Sequence, residues 1–244
     1  MCGRFTLKTP VADWLVDLFP NWDTDASHVA PTAHVTLNQD RYNIAPSQQI
    51  AVVRCDQEGR LILDSMRWGL LPRWADSLSV GYNMINARSE TLAEKPSFRP
   101  SLIDKRCIVL ADGYYEWKKL SPKTKEPYWI HTQGERVFAM AGLWAENRKI
   151  QNPVSPGNAI VSATIITTES NSDVVSVHDR MPAMMLSKDQ IAKWLDPTLN
   201  NVNHLELLLQ QLQPSETGLL HLRRVSTRVN SPANDSPENI EANY

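Results

Sequence analysis

The pattern that most constrains the fold is a series of short runs rich in β-branched and aromatic residues, separated by Gly, Pro and Asn. The runs cover 48–55, 60–68, 106–117, 127–132, 136–144, 158–168 and 218–226. Such composition is typical of strands, and the DQEG turn between the first two runs predicts a β-hairpin. Strands and helices do not alternate as in a parallel α/β protein. We therefore expect one α+β domain on a mixed or antiparallel sheet.

Helical periodicity is confined to three segments: 11–19, 187–195 and 204–212. The second begins with Ser187 and has Gln190 three residues later, the spacing of a capping box. The Ser-, Pro- and Asn-rich segment after Asn230 lacks apolar periodicity. We expect a single domain over residues 1–230 and a disordered tail over residues 231–244.

Composition excludes several classes of protein. Hydrophobic residues make up 42% and charged residues 21% of the 244 residues, as in soluble globular proteins. No apolar run is long enough to span a bilayer, and no secretory signal is present. We expect an intracellular protein without a membrane partner, cytoplasmic in a bacterium or nuclear in a eukaryote. The formal charge of −2 is close to neutral, so binding of a polyanion would depend on a local cluster of arginines.

The chain begins MCGRF, with a thiol at the second position. Removal of Met1 would leave Cys2 with a free α-amine and a thiol on adjacent carbons, with reference pKa values of about 8 and about 8.5. An aldehyde condenses with the amine, and the thiol then closes a thiazolidine ring. Alternatively, the thiolate is an acyl-transfer nucleophile with the terminal amine as its base. Cys55 and Cys107 lie in apolar runs and are expected to be packing residues.

Two further motifs contain groups that can move protons. Glu116 follows apolar residues in ADGYYEW, where burial disfavours the ionised carboxylate and suits it to proton transfer. His178 in HDRMP can donate or accept a proton near neutral pH. The alternatives, an exposed glutamate at a strand end and a structural histidine, remain open from these residues alone.

Arginine, asparagine and tryptophan occur together in two more segments. NMINARSET places Asn86 and Arg88 two residues apart, an amide that can orient a reacting group beside a phosphate-binding guanidinium. RWGLLPRWADS contains Arg73 and Trp74, a combination that suits stacking on single-stranded nucleic acid. Trp68 in the same segment is expected in the core.

Taken in order, nine motifs resemble the SRAP family (SOS-response-associated peptidase), whose members are abasic-site processing proteins. They are MCGRF, RYNIAPSQ, WGLLPRWA, INARSET, ADGYYEWKK, AGLW, TIITTESN, HDRMP and VSTRVN. The resemblance runs from residue 2 to about residue 230. It implies a mainly β, barrel-like core with flanking helices and a basic cleft. It also implies a covalent crosslink between the N-terminal cysteine and an abasic site in single-stranded DNA, which protects the site from strand cleavage.

The resemblance also implies roles for particular residues. The expected catalytic residues are Cys2 as the nucleophile, Asn86 as the group that orients it, and Glu116 and His178 as proton-transfer groups. The expected DNA-binding residues are Arg4, Arg73, Trp74, Arg88 and Arg180. The expected protein is a monomer with no metal or cofactor and with some lyase activity as a side reaction.

Two other functions remain compatible with the sequence. Cys2, Glu116 and His178 could form a thiol peptidase that removes Met1 or cleaves other proteins. The arginines and tryptophans could instead serve a non-catalytic module that binds single-stranded DNA.

Overall fold

The computed structural model describes residues 2–9, 11, 14, 15, 39–56 and 58–243. The strands are β1 (Phe5–Leu7), β2 (Arg41–Ile44), β3 (Gln49–Cys55), β4 (Leu61–Trp68), β5 (Asn86–Arg88), β6 (Arg106–Ala111), β7 (Gly113–Lys119), β8 (Lys125–Thr132), β9 (Phe138–Asn147), β10 (Ile160–Glu169), β11 (Arg180–Pro182), β12 (Met184–Met185) and β13 (Leu220–Arg224). The helices are α1 (Arg99–Asp104), α2 (Lys188–Leu195) and α3 (Leu205–Gln210).

Five of these strands close into a barrel. The order is β10-β4-β3-β6-β9, and β9 pairs again with β10 to complete the ring. The β4–β10 pairing is parallel, whereas the other four are antiparallel. Closure leaves none of these five strands as a free edge along the ring, and the barrel interior forms the main core. The predicted α+β fold with a mainly β, barrel-like core is confirmed.

A second, antiparallel sheet lies beside the barrel in the order β13-β8-β7-β1-β2. The N-terminal strand β1 is therefore an interior strand, paired with β7 on one side and β2 on the other. Phe5 in β1 contacts Trp68 in β4 edge to face, with ring centroids 5.1 Å apart. This contact fixes the start of the chain against the barrel. Trp68 is fully buried, as expected.

The run predicted as one strand over 106–117 is two strands in different sheets. The chain changes sheet at Asp112, which is fully buried. Its carboxylate accepts hydrogen bonds from the Thr6 hydroxyl and from the backbone N–H groups of Lys8 and Thr9. These bonds connect Asp112, the residue between β6 and β7, to β1, which lies more than 100 residues away in sequence.

The other predicted elements are found with small shifts in their ends. Strands β3 and β4 form the predicted hairpin, with Gln49 opposite Arg67. Helix α2 begins with the predicted capping box of Ser187 and Gln190. In the predicted N-terminal helix, residues 11, 14 and 15 are helical, and the rest lies outside the described residues.

The segment after Asn230 differs from the prediction of a disordered tail, because residues 231–243 pack on the second sheet. Asp235 accepts hydrogen bonds from the backbone N–H groups of Tyr42 and Asn43 and forms an ion pair with Arg41. Asn239 is fully buried. Polar side chains that bind backbone groups hold this segment, so it needs no apolar periodicity. Within the described residues, no helix is long and apolar enough to cross a membrane.

Candidate active site

The four expected catalytic residues come from separate elements that meet between the second sheet and the barrel. Cys2 lies three residues before the start of β1, and Glu116 lies in the neighbouring strand β7. Asn86 begins β5, which pairs with β10 of the barrel. His178 lies in the turn before β11, which also pairs with β10. Strand pairing therefore converts four distant sequence positions into one site.

Cys2 is fully buried. The Asn86 side-chain amide donates a hydrogen bond to the Cys2 carbonyl oxygen at 2.7 Å. The Cys2 thiol lies 3.8 Å from the carbonyl oxygen of Arg4. Burial raises the pKa of the Cys2 thiol far above its ordinary value, and the negative charge of Glu116 adds to this shift. The thiol is therefore neutral near pH 7 and needs a base before it can react as a thiolate.

Glu116 is 2% exposed. Burial raises the pKa of its carboxyl group to about 7, although the positive charge of the amino terminus opposes the shift. The Glu116 Oε2 atom lies 3.8 Å from His178 Nε2. A carboxyl group with this pKa is present in both protonation states near neutral pH, as a group that alternates between acid and base must be.

The groups around the two ring nitrogens of His178 bear on its tautomer. Its Nδ1 atom accepts a hydrogen bond from the backbone N–H of Arg180 at 3.0 Å. The Asp179 Oδ1 atom also lies 3.0 Å from Nδ1, and it can bind the ring there only when Nδ1 carries a proton. The neutral tautomer that keeps the Arg180 hydrogen bond has its proton on Nε2, the nitrogen that faces Glu116. Partial burial lowers the pKa of His178, and the positive amino terminus lowers it further, so the neutral form predominates at pH 7.

Arg4 holds the N-terminal segment against the rest of the protein. Its guanidinium donates to the Asn43 side-chain oxygen at 2.9 Å, the Val229 carbonyl at 2.7 Å and the Asn230 carbonyl at 3.1 Å. Asn43 belongs to the RYNIAPSQ motif, and Val229 and Asn230 belong to VSTRVN. The contacts with Arg4 therefore give both motifs a structural role that the sequence alone did not indicate. They fix the backbone two residues after Cys2 and occupy donors that a phosphate would otherwise bind.

Arg180 is also engaged within the protein. It is 8% exposed and forms a two-pronged ion pair with Glu90, at 2.5 and 3.0 Å. It also donates to the Thr167 carbonyl oxygen at 2.6 Å. The expected phosphate contact of Arg180 stays a prediction, and it would have to compete with Glu90.

The remaining expected DNA-binding residues are exposed. Arg73 and Arg88 lie on the surface, and Trp74 exposes 51% of its area although it is large and apolar. The sequence reasoning did not single out Tyr82, which is 60% exposed and lies four residues before Asn86. The sequence signal that could have identified Tyr82 as a candidate DNA-binding residue is an aromatic side chain in a polar segment close to Asn86.

Trp74 and Tyr82 lie on one loop, residues 70–83, which ends in a short 3₁₀-helix (Leu78–Asn83) and whose base is closed by two glycines. Gly69 has φ +115°, and a Cβ atom there would lie 2.6 Å from the Gly81 carbonyl oxygen. The Asn147 side chain donates to the carbonyl oxygens of two loop residues at 2.7 and 2.9 Å. The backbone of the loop is thus held at its base and along its length, and this backbone carries the two exposed aromatic side chains.

Within the described residues, no group of three or more His, Cys, Asp or Glu side chains is placed to hold a metal ion. The four expected catalytic residues supply the site with a thiol, a carboxyl group, an imidazole and an amide.

Sequence and structure comparisons relate the chain to known proteins. Residues 1–232 match the profile of the family described as SOS response associated peptidase (SRAP). Over 242 residues the chain is 41% identical to the abasic site processing protein YoqW of Bacillus subtilis, covering 99% of this chain and 100% of YoqW. The abasic site processing protein HMCES of Xenopus tropicalis is 32% identical, with 92% of this chain and 70% of HMCES covered.

Solved structures share the fold. A crystal structure of a protein from Bacteroides thetaiotaomicron aligns over 100% of both chains, with a TM-score of 0.78 and 24% identity. A phage-related protein from Bordetella bronchiseptica aligns over 92% of this chain and 94% of its own, with a TM-score of 0.68 and 26% identity. The family profile and the relatives agree across nearly the whole length, and the chain belongs to the SRAP family.

Proposed function

We propose that this protein processes abasic sites by joining Cys2 covalently to the abasic sugar in single-stranded DNA. The observation that carries the proposal is a buried carboxyl group of pKa about 7, Glu116, which lies 3.8 Å from the His178 ring and close enough to the Cys2 thiol for its negative charge to raise the pKa of that thiol. The names of the relatives YoqW and HMCES, both abasic site processing proteins, support the substrate.

The reaction needs Met1 to be removed, so that Cys2 carries the free α-amine. The amine attacks the C1′ aldehyde of the open abasic sugar, and the resulting carbinolamine loses one water to give an imine. The thiol then adds across the C=N bond: sulfur bonds to C1′ and a proton reaches nitrogen. The product is a five-membered thiazolidine, and its mass is the sum of protein and DNA less one water.

The amine reacts before the thiol in this scheme because the buried thiol is neutral near pH 7. Protonated Glu116 donates a proton to the departing water, and the carboxylate then accepts the thiol proton. Neutral His178 holds its Nε2 proton towards Glu116 and can exchange protons with it. Asn86 fixes the Cys2 carbonyl and hence the direction of the reacting amine and thiol.

The exposed side chains Arg73, Trp74 and Arg88 suit the DNA strand on either side of the lesion. Guanidinium groups bind phosphates, and an exposed indole stacks on an unpaired base. Stacking on Trp74 depends on a base that is not already stacked in a duplex, which favours single-stranded DNA.

Intact-protein mass spectrometry tests the proposal. The protein is incubated with single-stranded DNA that carries one abasic site, beside the variant Cys2→Ala and a form that retains Met1. The unsubstituted protein should form a stable adduct without a reducing agent. Cys2→Ala keeps the amine but not the thiol, so we expect an imine trapped only by borohydride, together with strand cleavage by β-elimination.

Other outcomes separate the rival functions. Tight binding with no adduct would contradict the proposal and support a non-catalytic DNA-binding module. Cleavage of unrelated proteins that depends on Cys2, without a DNA adduct, would support a thiol peptidase.

A further inference from the structure

Tyr114 is a buried tyrosine next to the candidate active site that no role assigned above uses. It lies in β7, opposite Phe5 in β1 and Ile130 in β8. It is 0% exposed and belongs to the same contiguous buried cluster as Cys2. The Tyr114 side chain is therefore surrounded by the protein interior beside Cys2 and not by solvent.

The hydroxyl of Tyr114 has no hydrogen-bond partner among the residues that the structure describes. The adjacent Tyr115 differs, since its hydroxyl donates to the Tyr42 carbonyl oxygen at 2.6 Å. A buried hydroxyl without a partner destabilises the folded state, and a phenylalanine at this position would avoid that cost. The hydroxyl therefore has no evident structural use within the described part of the chain.

The hydroxyl lies near the reacting groups. Side chains two residues apart on a strand point to the same face, so Tyr114 and Glu116 share one face of β7. Burial raises the pKa of Tyr114 well above its ordinary value, and the nearby negative groups that add to the shift include Glu116 and Cys2. The phenol consequently keeps its proton and is a hydrogen-bond donor throughout the neutral range.

We propose that the Tyr114 hydroxyl donates a hydrogen bond to the sugar oxygen of the abasic deoxyribose, the ring oxygen that becomes the C4′ hydroxyl when the ring opens. This bond turns C1′ towards the amine and thiol of Cys2. The inference rests on the proposed function and assigns one more group to the same site. It makes Tyr114 a residue that touches the substrate and takes no part in proton transfer.

The variant Tyr114→Phe tests the inference, because it removes only the hydroxyl. With abasic single-stranded DNA we expect adduct formation about tenfold slower, the effect of one hydrogen bond lost from the transition state. The melting temperature should not fall, because the hydroxyl removed has no partner among the described residues. The matched control is Tyr115→Phe, which should lower the melting temperature and leave the rate unchanged.

Acetaldehyde serves as a second substrate because it has an aldehyde but no sugar oxygen. Tyr114→Phe and the unsubstituted protein should react with it at the same rate at Cys2. An unchanged rate with abasic DNA, or an equal slowing with both aldehydes, would overturn the assignment of Tyr114. Absence of any adduct with the unsubstituted protein would overturn the proposed function itself and this inference with it.

Discussion

At the scale of single residues, the unusual group is Glu116, a buried carboxyl group whose pKa of about 7 lies well above the reference value of 4.5. The Glu116 carboxyl group therefore keeps its proton to a higher pH in the folded state than in the unfolded chain. Raising the pH from 4.5 to 7 removes that proton from a buried site. The ionisation of Glu116 must then lower the free energy of unfolding as the pH rises from 4.5 to 7. Above this window the loss of stability stays constant.

We predict that Glu116→Gln removes this pH dependence. Relative to the unsubstituted protein, the variant should gain up to about 3 kcal/mol in free energy of unfolding between pH 4.5 and pH 8. Urea denaturation at a series of pH values measures the gain. The control is Glu90→Gln, because the hydrogen bond to Arg180 lowers the pKa of Glu90 and places its own pH dependence below 4.5. A constant difference between Glu116→Gln and the unsubstituted protein would contradict the assigned pKa.

The role of Glu116 as an acid makes a separate kinetic prediction. The rate of adduct formation in the unsubstituted protein is divided, at each pH, by the rate in Glu116→Gln. Glu116 interacts with the amino terminus, so the pKa of the amine is measured in each protein and the rates are corrected to the neutral amine before the ratio is taken. The ratio should fall as the pH rises above about 7, because the protonated carboxyl group is then lost. A ratio independent of pH would show that Glu116 does not act as the acid.

At the scale of elements, the loop of residues 70–83 depends on the close approach of two glycines at its base. The Leu70 N–H donates to the Met84 carbonyl oxygen at 3.0 Å, directly beside the Gly69–Gly81 contact. Any side chain at Gly69 would push the two ends of the loop apart. The position of Trp74 therefore depends on Gly69 and Gly81, whose lack of a side chain lets the two ends of the loop approach closely.

We predict that Gly69→Ala lowers the free energy of unfolding by about 2–4 kcal/mol and weakens binding of single-stranded DNA. The control is Gly157→Ala, which has φ +88° and no atom within 4 Å of the added Cβ. It should cost only the backbone strain, about 1 kcal/mol, and leave DNA binding unchanged. Urea denaturation and fluorescence anisotropy measure the two effects. Equal effects of the two variants would contradict the contact at the loop base.

At the scale of the whole molecule, the segment after Asn230 packs against the second sheet. It supplies the acceptors of Asn43, which in turn holds Arg4 near Cys2. The N-terminal and C-terminal parts of the chain therefore stabilise one another around the site.

We predict that Asp235→Ala lowers the free energy of unfolding by about 1–3 kcal/mol, because two backbone N–H groups and Arg41 lose their acceptor. The control is Glu241→Ala, an exposed residue of the same segment, for which we expect no change. Thermal and urea denaturation compare the two. Identical stabilities would contradict the packed position of this segment.

Local patterns predicted much of this molecule. The hairpin of β3 and β4 and the capping box of α2 depend on neighbouring residues, so the sequence was sufficient for them. The grouping of Cys2, Asn86, Glu116 and His178 came from the family resemblance, since their distances depend on strand pairing. The change of sheet at Asp112 and the engagement of Arg180 with Glu90 depend on partners far away in sequence, which no local pattern reveals.

The most direct test of the account is the structure of the link between protein and DNA. Tandem mass spectrometry of the trypsin-digested adduct should place the sugar on the peptide of residues 2–4, with both the amine and the thiol of Cys2 resistant to modifying reagents. Attachment to a peptide that still contains Met1, attachment elsewhere in the chain, or a Cys2 thiol that alkylates freely in the adduct would contradict it.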